Sequence, residues 1–335
     1  MTQAGSKGIK KMKKIIATLL LLTMALFAFG SCQPEENEQT KIRIGYMSGP
    51  TGMGMAKLIH DNGGIAGNNK YEFKSYTDSA LAKADLTKGD IDIICIPTNE
   101  ALAYYNTADK NVRVLAVNCL NSLYVITNEE TAPASLADLE GKTIYTCKNG
   151  TPKIILDYII NALELNITVS TNINGTDMNK PADVSAQVIA GTLPYAVIPE
   201  PIITSSMLQN NSYKVAIDLA DEWAKIPALT NTPVAMGCVV STKDFIENNK
   251  ASLDAFLAEY KSSIEFVSNK ENLETAANYV AEAGIMAKAA PAKKALANLG
   301  DAIAYIDGAE MKTTLNAFYK AIGMPNPVDE FYYAK

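Results

Sequence analysis

The chain has 335 residues, with 30 Lys+Arg against 36 Asp+Glu, a single His and a formal net charge of −6. That surplus of acid argues against nucleic acid and anionic lipid as partners, since both carry the same sign. One His, with five Cys and no CxxC spacing, gives no Cys/His metal set, and nothing in the composition calls for a metal or a cofactor.

Lys7, Lys10, Lys11, Lys13 and Lys14 precede every acidic residue, and an apolar run from Ile15 to Phe29 leads into Gly30-Ser31-Cys32. Basic flank, apolar core and small-residue cleavage site, in that order, read as a secretory signal. The run is shorter than the about 20 apolar residues that a bilayer span needs. It resembles a lipoprotein signal, in which the Cys after a small residue is acylated and becomes the new N-terminus. Phe29 departs from the aliphatic residue usual in that pattern. Residues 1–31 are therefore expected to be a signal peptide and Cys32 the lipidation site, with Met12 an alternative start. Removing 1–31 takes five Lys and no acid, leaving 25 basic against 36 acidic side chains and a net charge of −11. The acyl chains, rather than a basic patch, would then hold the protein to the membrane. Residues 32–40 continue as a polar, acidic tether. Acids directly after a lipidated Cys also resemble the surface-export signals of some bacterial lipoproteins, so the periplasmic face and the cell surface both stay open.

Beyond the tether the chain alternates strand and helix. Residues 41–48 read as a strand, 52–64 as a helix ending at Gly63-Gly64, and 71–77 as an alternating strand before a helix near 78–88. The nearly continuous apolar run at 91–98 is that of a parallel strand covered on both faces. A helix over 101–108 and a strand over 112–119 follow. A second unit opens with Ser135 capping a short helix, then a strand at 143–147. Helix at 152–164, strand at 167–173, helix at 182–190, strand at 195–199, helix at 201–209 and strand at 213–219 continue it. After 234–242 the remainder reads as helices, including 253–267, 271–284 and 309–324. This alternation predicts an α/β fold of doubly wound sheets with a helical tail. Cys95 and Cys238 fall inside buried-strand patterns, so unpaired thiols are expected although the even number of mature Cys permits disulfides.

Several stretches together resemble the type II solute-binding proteins of ABC transporters, the branch handling nitrate, sulfonates, taurine and thiamine precursors. They are GPTGMGMAKL (49–58), GDIDIICIPTNEA (89–101), SLADLEGKTIY (135–145), IPEPIITSS (198–206), VAMGCVVSTKDFIENN (234–249) and YIDGAEMKTTLNAFYKAIG (305–323). The resemblance spans nearly the whole mature chain. It implies a two-lobed type II periplasmic-binding-protein fold, each lobe a doubly wound mixed sheet flanked by helices. Lobe 1 would comprise 41–127 plus 236–335 and lobe 2 residues 128–235. The chain would cross near 125–130 and again near 232–238, and the tail would return to lobe 1.

In open α/β sheets ligands sit outside the carboxyl ends of strands, where helix N-termini converge. Four strand-to-helix junctions carry suitable chemistry. Ser48, Gly49, Pro50, Thr51, Gly52 and Met53 form a small-residue loop that lets backbone N–H groups approach a ligand. Thr98 and Asn99 add a hydroxyl and an amide after the strand ending at Pro97. Asn149, Gly150 and Thr151 precede Pro152, with Thr151 at the expected N-cap and the Pro at N1. Glu200-Pro201 repeats that arrangement with a carboxylate. Asn118 and Asn121 lie beside the expected hinge. Each of these also reads as an ordinary helix cap serving its own backbone. Four on one side of a presumed cleft favour binding, with the first two junctions facing the last two.

The mature chain has two Arg, Arg43 and Arg113, both near strand starts, so a bidentate guanidinium clamp on an anion is not expected. Lys148 and Lys153 flank the third junction but read first as solvated surface residues. Tyr46 and Tyr124 sit where a planar ligand would stack, or pack in the core. His60 is the only His and no GxSxG or HExxH occurs, which leaves no catalytic residue to nominate. The expected function is the substrate-binding lipoprotein of an ABC importer. It would be a monomer that closes on a small polar or planar solute (sulfonate, nitrate, pyrimidine or aromatic acid) and docks on a permease and its ATPase. Two other readings stay open: a surface lipoprotein that binds a solute or partner without a transporter, and an enzyme on the same fold from menaquinone or thiamine-precursor synthesis.

Overall fold

The computed structural model describes residues 41–334 apart from residue 69. The signal at 1–31, Cys32 and the tether at 32–40 lie outside the described residues. Strand β1 (Ile42–Met47) buries Ile42, Ile44 and Tyr46, and pairs in parallel with β2 (Tyr71–Tyr76) and β3 (Ile93–Pro97). Helices α1 (Pro50–Met53) and α2 (Ala56–Asp61) follow β1. The single helix expected over 52–64 is thus two short ones. The chain is pinned beneath β1 at Gly52, where a Cβ would lie 2.3 Å from the Met47 carbonyl oxygen.

Helix α3 (Ser79–Lys88) begins where the Asp78 side chain accepts from the Ala80 N–H at 2.7 Å. Helix α4 (Thr98–Thr107) follows β3 and leads into β4 (Val112–Cys119). The next strand, β5 (Leu123–Thr127), went unread in the sequence. It is buried at every position and belongs to a second sheet. The first crossing therefore occupies residues 120–122, ahead of the expected 125–130, and residues 123–127 leave the sheet to which the boundary at 127 assigned them.

The second sheet continues through β6 (Thr143–Tyr145), helix α5 (Thr151–Ala162) and β7 (Thr168–Ser170). A hairpin of β8 (Asn172–Ile173) and β9 (Thr176–Asp177) turns on Asn174-Gly175, both at positive φ, so the strand expected over 167–173 is split. Then come α6 (Pro181–Ile189), β10 (Tyr195–Pro199), α7 (Ile202–Gln209), β11 (Lys214–Asp218) and α8 (Leu219–Ala224). Strand β12 (Gly237–Thr242) returns to the first sheet. The tail comprises α9 (Lys243–Asn248), α10 (Lys250–Ser268), α11 (Leu273–Glu282), α12 (Ala289–Leu299) and α13 (Gly308–Ala321).

The two five-stranded sheets have the orders β2-β1-β3-β12-β4 and β11-β5-β10-β6-β7. Within the first, only β12 is antiparallel to its neighbours; within the second, only β5 is. These are the two strands entered directly after a crossing. A chain that leaves one sheet at a carboxyl end and enters the next from the same side must run against the parallel strands there. The carboxyl ends of both sets of parallel strands consequently point at each other.

One apolar cluster packs Phe256, Tyr260 and Ala277 of the tail against Tyr46 and Phe73 of the first sheet, and another packs Val188 and Ile203 on Ile126 and Ile198 of the second. A third spans both sheets beside the crossings and joins Val117, Leu123 and Trp223 to Phe318 of α13, with the Trp223 and Phe318 rings 6.1 Å apart. Cys95, Cys119, Cys147 and Cys238 are buried and unpaired. Burial pushes Cys95 and Cys119 up to about 12 and Cys147 to about 11, which suppresses the reactive thiolate.

Replacing Gly52 by Ala gives a sharp test of the packing under β1. Helix propensity alone would stabilise by about 1 kcal/mol. The clash with the Met47 carbonyl should instead destabilise by about 1–3 kcal/mol, read as a lower urea midpoint at unchanged slope. A raised midpoint would refute the close approach.

Candidate functional site

The facing strand ends form a cleft, and three hydrogen bonds among the described residues cross it. Asn99, in the first turn of α4, accepts from the Thr151 hydroxyl at the start of α5 at 3.1 Å. Asn298, on the last turn of α12, donates from Nδ2 to Glu200 Oε1 at 2.6 Å, and its carbonyl accepts from the Tyr124 hydroxyl at 2.9 Å. The first bond joins the second and third junctions singled out in the sequence. The first and fourth meet differently: Ser48, Pro201, Ile202 and Ser205 line one cavity of about 560 Å3 with Met286 and Lys288 of the tail.

Glu200 is fully buried. Its carboxylate also accepts from the Thr204 N–H at 3.1 Å and the Thr204 hydroxyl at 2.9 Å, capping α7 from one residue before Pro201. Burial pushes its carboxyl above the ordinary 4.5, and the Asn298 and Thr204 donors oppose that shift. The Glu200–Pro201 bond is cis.

The other nominated residues divide between cleft and scaffold. Thr98 is fully buried, with its hydroxyl on the Ala235 carbonyl, its N–H on Met236 and its carbonyl on the Tyr319 hydroxyl. It ties α4 to the second crossing and has nothing left for a solute. Gly49 caps α1 through its carbonyl, which accepts from Gly52 and Met53. Met53 packs in the core beside Gly52, and Pro50 and Thr51 complete the turn, with the Thr51 carbonyl accepting from Tyr260. Ser48 pairs its hydroxyl with Ser75 at 2.9 Å. Asn118 is buried and donates to the Tyr260 hydroxyl at 2.9 Å. At the third junction the expected cap is corrected: Gly150, at φ 96, is the N-cap and Thr151 the first helical residue. The left-handed conformation that ends the loop suits Gly and not Thr. Asn149 and Gly150 are exposed.

The charged and aromatic candidates resolve likewise. Arg43 makes a two-point contact with Asp92, and Arg113 binds the carbonyls of Lys110 and Val112. Lys153 pairs with Asp157 one turn along α5, and Lys148 lies 4.0 Å from Asp177. His60 stacks on Tyr279 with ring centroids 3.8 Å apart and bonds Glu282. Tyr46 is core; Tyr124 faces the cleft.

A second cavity, of about 490 Å3, lies where the crossings run between the lobes. Leu120 and Asn121 of the first crossing, Thr232 to Val234 of the second, and Tyr124, Asp218, Trp223 and Asp301 line it. Asn121 Nδ2 donates to Asp218 Oδ1 at 2.7 Å, and the Ala220 N–H donates to the same oxygen at 2.8 Å. Burial raises the Asp218 carboxyl above its ordinary value; the Ala220 donor opposes this and nearby Asp221 adds to it. Sequence reasoning missed Asp218, Trp223 and Asn298. Asp218-Leu219-Ala220-Asp221-Glu222 carries a capping Asp and an acidic first turn, a readable signal. Asn298 near a helix end carried none.

With this geometry in place, the comparisons with known proteins are decisive for the family. The NMT1/THI5-like family model matches residues 70–272, more than half of the chain. The chain belongs to the NMT1/THI5-like family. No curated protein sequence matches it. Among solved structures, an ABC transporter from Parabacteroides distasonis is similar at TM-score 0.68 and 22% identity, over 88% of this chain and 99% of that one. The periplasmic aliphatic sulphonate binding protein SsuA from Escherichia coli is similar at 0.63 and 19%, over 87% and 90%. The periplasmic nitrate-binding protein NrtA from Synechocystis PCC 6803 is similar at 0.60 and 13%, over 85% and 81%. This NMT1/THI5-like chain thus has the two-lobed type II periplasmic-binding-protein fold.

The raised Glu200 carboxyl sets a pH signature. A group whose pKa is higher folded than unfolded contributes stability below its unfolded value and loses it as pH rises through the folded value. Stability measured from about pH 4 upward should fall more for the natural chain than for Glu200→Gln. Parallel pH profiles of the two would show that Glu200 is not desolvated.

Proposed function

We propose that this NMT1/THI5-like chain is the solute-binding component of an ABC importer, anchored through lipid on Cys32 and carrying its solute to a permease and ATPase as a monomer. The observation that carries the reading is the pair of facing strand ends bridged by Asn99–Thr151 and Asn298–Glu200. Such bonds join groups from different lobes, so they form on closing and break on opening. Residues 41–119 with 237–334 form one lobe and 123–218 the other, grouped by sheet membership. Residues 120–122 and the stretch before Gly237 serve as the hinge. SsuA and NrtA, which share the fold, bind an aliphatic sulphonate and nitrate, and this supports a small solute here. No described helix is long and apolar enough to cross a membrane.

The solute is small and polar or planar, with at most one negative charge. Both Arg of the lobes are committed elsewhere, so no guanidinium fork meets a carboxylate or sulfonate in the cleft. Ser48, Thr51, Asn99, Asn121, Asn149, Thr151 and Glu200 remain the proposed polar contacts, joined by Tyr124 and Asn298. Thr98, Met53 and Asn118 position them.

The test uses the full chain in detergent, screened against sulfonates, nitrate, pyrimidines, aromatic acids and amines. A true solute at 100 times its Kd should stabilise by ~2.7 kcal/mol and shrink the particle in small-angle scattering. Thr151→Val keeps the shape of the side chain but removes a bond worth about 0.5–1.5 kcal/mol, so affinity should drop by roughly 2- to 10-fold. A screen with no stabilising solute would sink the reading.

A further inference from the structure

The cavity beside the crossings is built to receive hydrogen bonds. Its two carboxylates are Asp218 from the second lobe and Asp301 from the first, and no Lys, Arg or His is among its described lining residues. The nearby Lys225 is held by Glu222 at 2.6 Å. Asp218 receives both of its hydrogen bonds on Oδ1, leaving Oδ2 without a donor among the described residues.

Asn121 is the second acceptor. It is 6% exposed, and its Oδ1 is buried without a hydrogen-bond partner. The orientation of its amide is fixed by charge. With Nδ2 on the Asp218 carboxylate, a flipped amide would set oxygen against oxygen. A buried acceptor without a partner is uncommon in folded proteins; Tyr71, Asn118 and Tyr305 hold the others among the described residues, and of the four only Asn121 lines this cavity. Tyr124 and Trp223 add ring surface to the same wall, and aromatic faces attract cations. The volume, about 490 Å3, lies within the about 300–1,000 Å3 of small-molecule sites.

Resting on the solute-binding reading, we propose that this cavity takes a cationic organic solute bearing N–H donors, an ammonium or amidinium on a small planar body. Asp218 is its counter-charge and Asn121 Oδ1 its second acceptor. A cation here also explains why binding would close the lobes. Asp218 lines the cavity from the second lobe and Asp301 from the first. A cation held between the two lobes attracts both carboxylates and so favours the closed arrangement. An anion would meet two carboxylates and no positive group, which selects against it.

Trp223 is the only Trp in the chain and lines the cavity, so its fluorescence reports occupancy directly. The full chain in detergent is titrated with tyramine and agmatine as cations and with ethanesulfonate, nitrate and benzoate as anions. A saturable change with a cation is expected, with Kd raised at least about tenfold in Asp218→Asn and Asn121→Leu and unchanged in the surface variant Glu140→Gln. Asn caps a helix as well as Asp does, so Asp218→Asn keeps α8 and removes only the charge. Saturation by an anion, with both cations inert, would overturn the cation assignment and leave the solute-binding reading standing. Cation binding unaffected by both cavity variants would overturn the site. Silence from all five probes would overturn the assignment as well, and with a screen free of thermal stabilisation it would take the solute-binding reading too.

Discussion

Strands β5 and β12 run against their neighbours, and the layout of the molecule follows from that reversal. Each is the strand a sheet receives from a crossing, and each forces the parallel strands of its sheet to aim their carboxyl ends at the opposite lobe. Helix N-termini follow those ends, so α4, α5 and α7 all begin at the cleft. The crossings are short and tied down by backbone bonds. Leu120 N–H donates to the Ala302 carbonyl at 2.7 Å, and Met236 N–H donates to the Cys119 carbonyl at 2.9 Å. The apolar cluster joining Val117, Leu123, Trp223 and Phe318 lies alongside, so the lobes share packed surface as well as linkers. A relative movement of the lobes has few dihedral angles in which to take place.

The electrostatic character of the cleft is set by what the sequence withholds. Helix N-termini offer partial positive charge, yet Glu200 bridges the cleft and Asp218 and Asp301 line the cavity beside the crossings, with Lys288 in the lining of the outer cavity. Both Arg are bound at the far ends of strands. The fold is shared with sulphonate- and nitrate-binding proteins, and in this chain the cavity beside the crossings is lined by carboxylates. The scaffold sets where a ligand sits, and the residues grafted on it set which ligand.

Much of this was legible from periodicity. The apolar run at 91–98 became the buried central strand β3, and the helix expected near 78–88 became α3 almost residue for residue. Leu123–Thr127 was missed because a five-residue apolar run without alternation is ambiguous by pattern alone. Its membership of the second sheet is a long-range property, fixed by pairing with β10 and β11 some 70 to 90 positions on. The break between α1 and α2 was hidden for a related reason. Gly52 is demanded by the Met47 carbonyl lying above it, and no local signal reports that neighbour. At the site, residues at helix starts were readable because capping chemistry is local, so Asn99, Thr151 and Glu200 stood out. Asn298 reaches Glu200 from nearly a hundred residues further along, and only the folded chain brings them together.

The burial of Glu200 has a mechanical consequence. In the bridged state its carboxylate is cut off from water and pushed toward protonation. The Asn298 and Thr204 donors favour the ionised form and so work against the desolvation that disfavours it. Under the proposed lobe motion, a state that uncovers Glu200 would rehydrate the carboxylate and relieve that cost, so the 2.6 Å bridge holds the lobes together less firmly than its length alone implies.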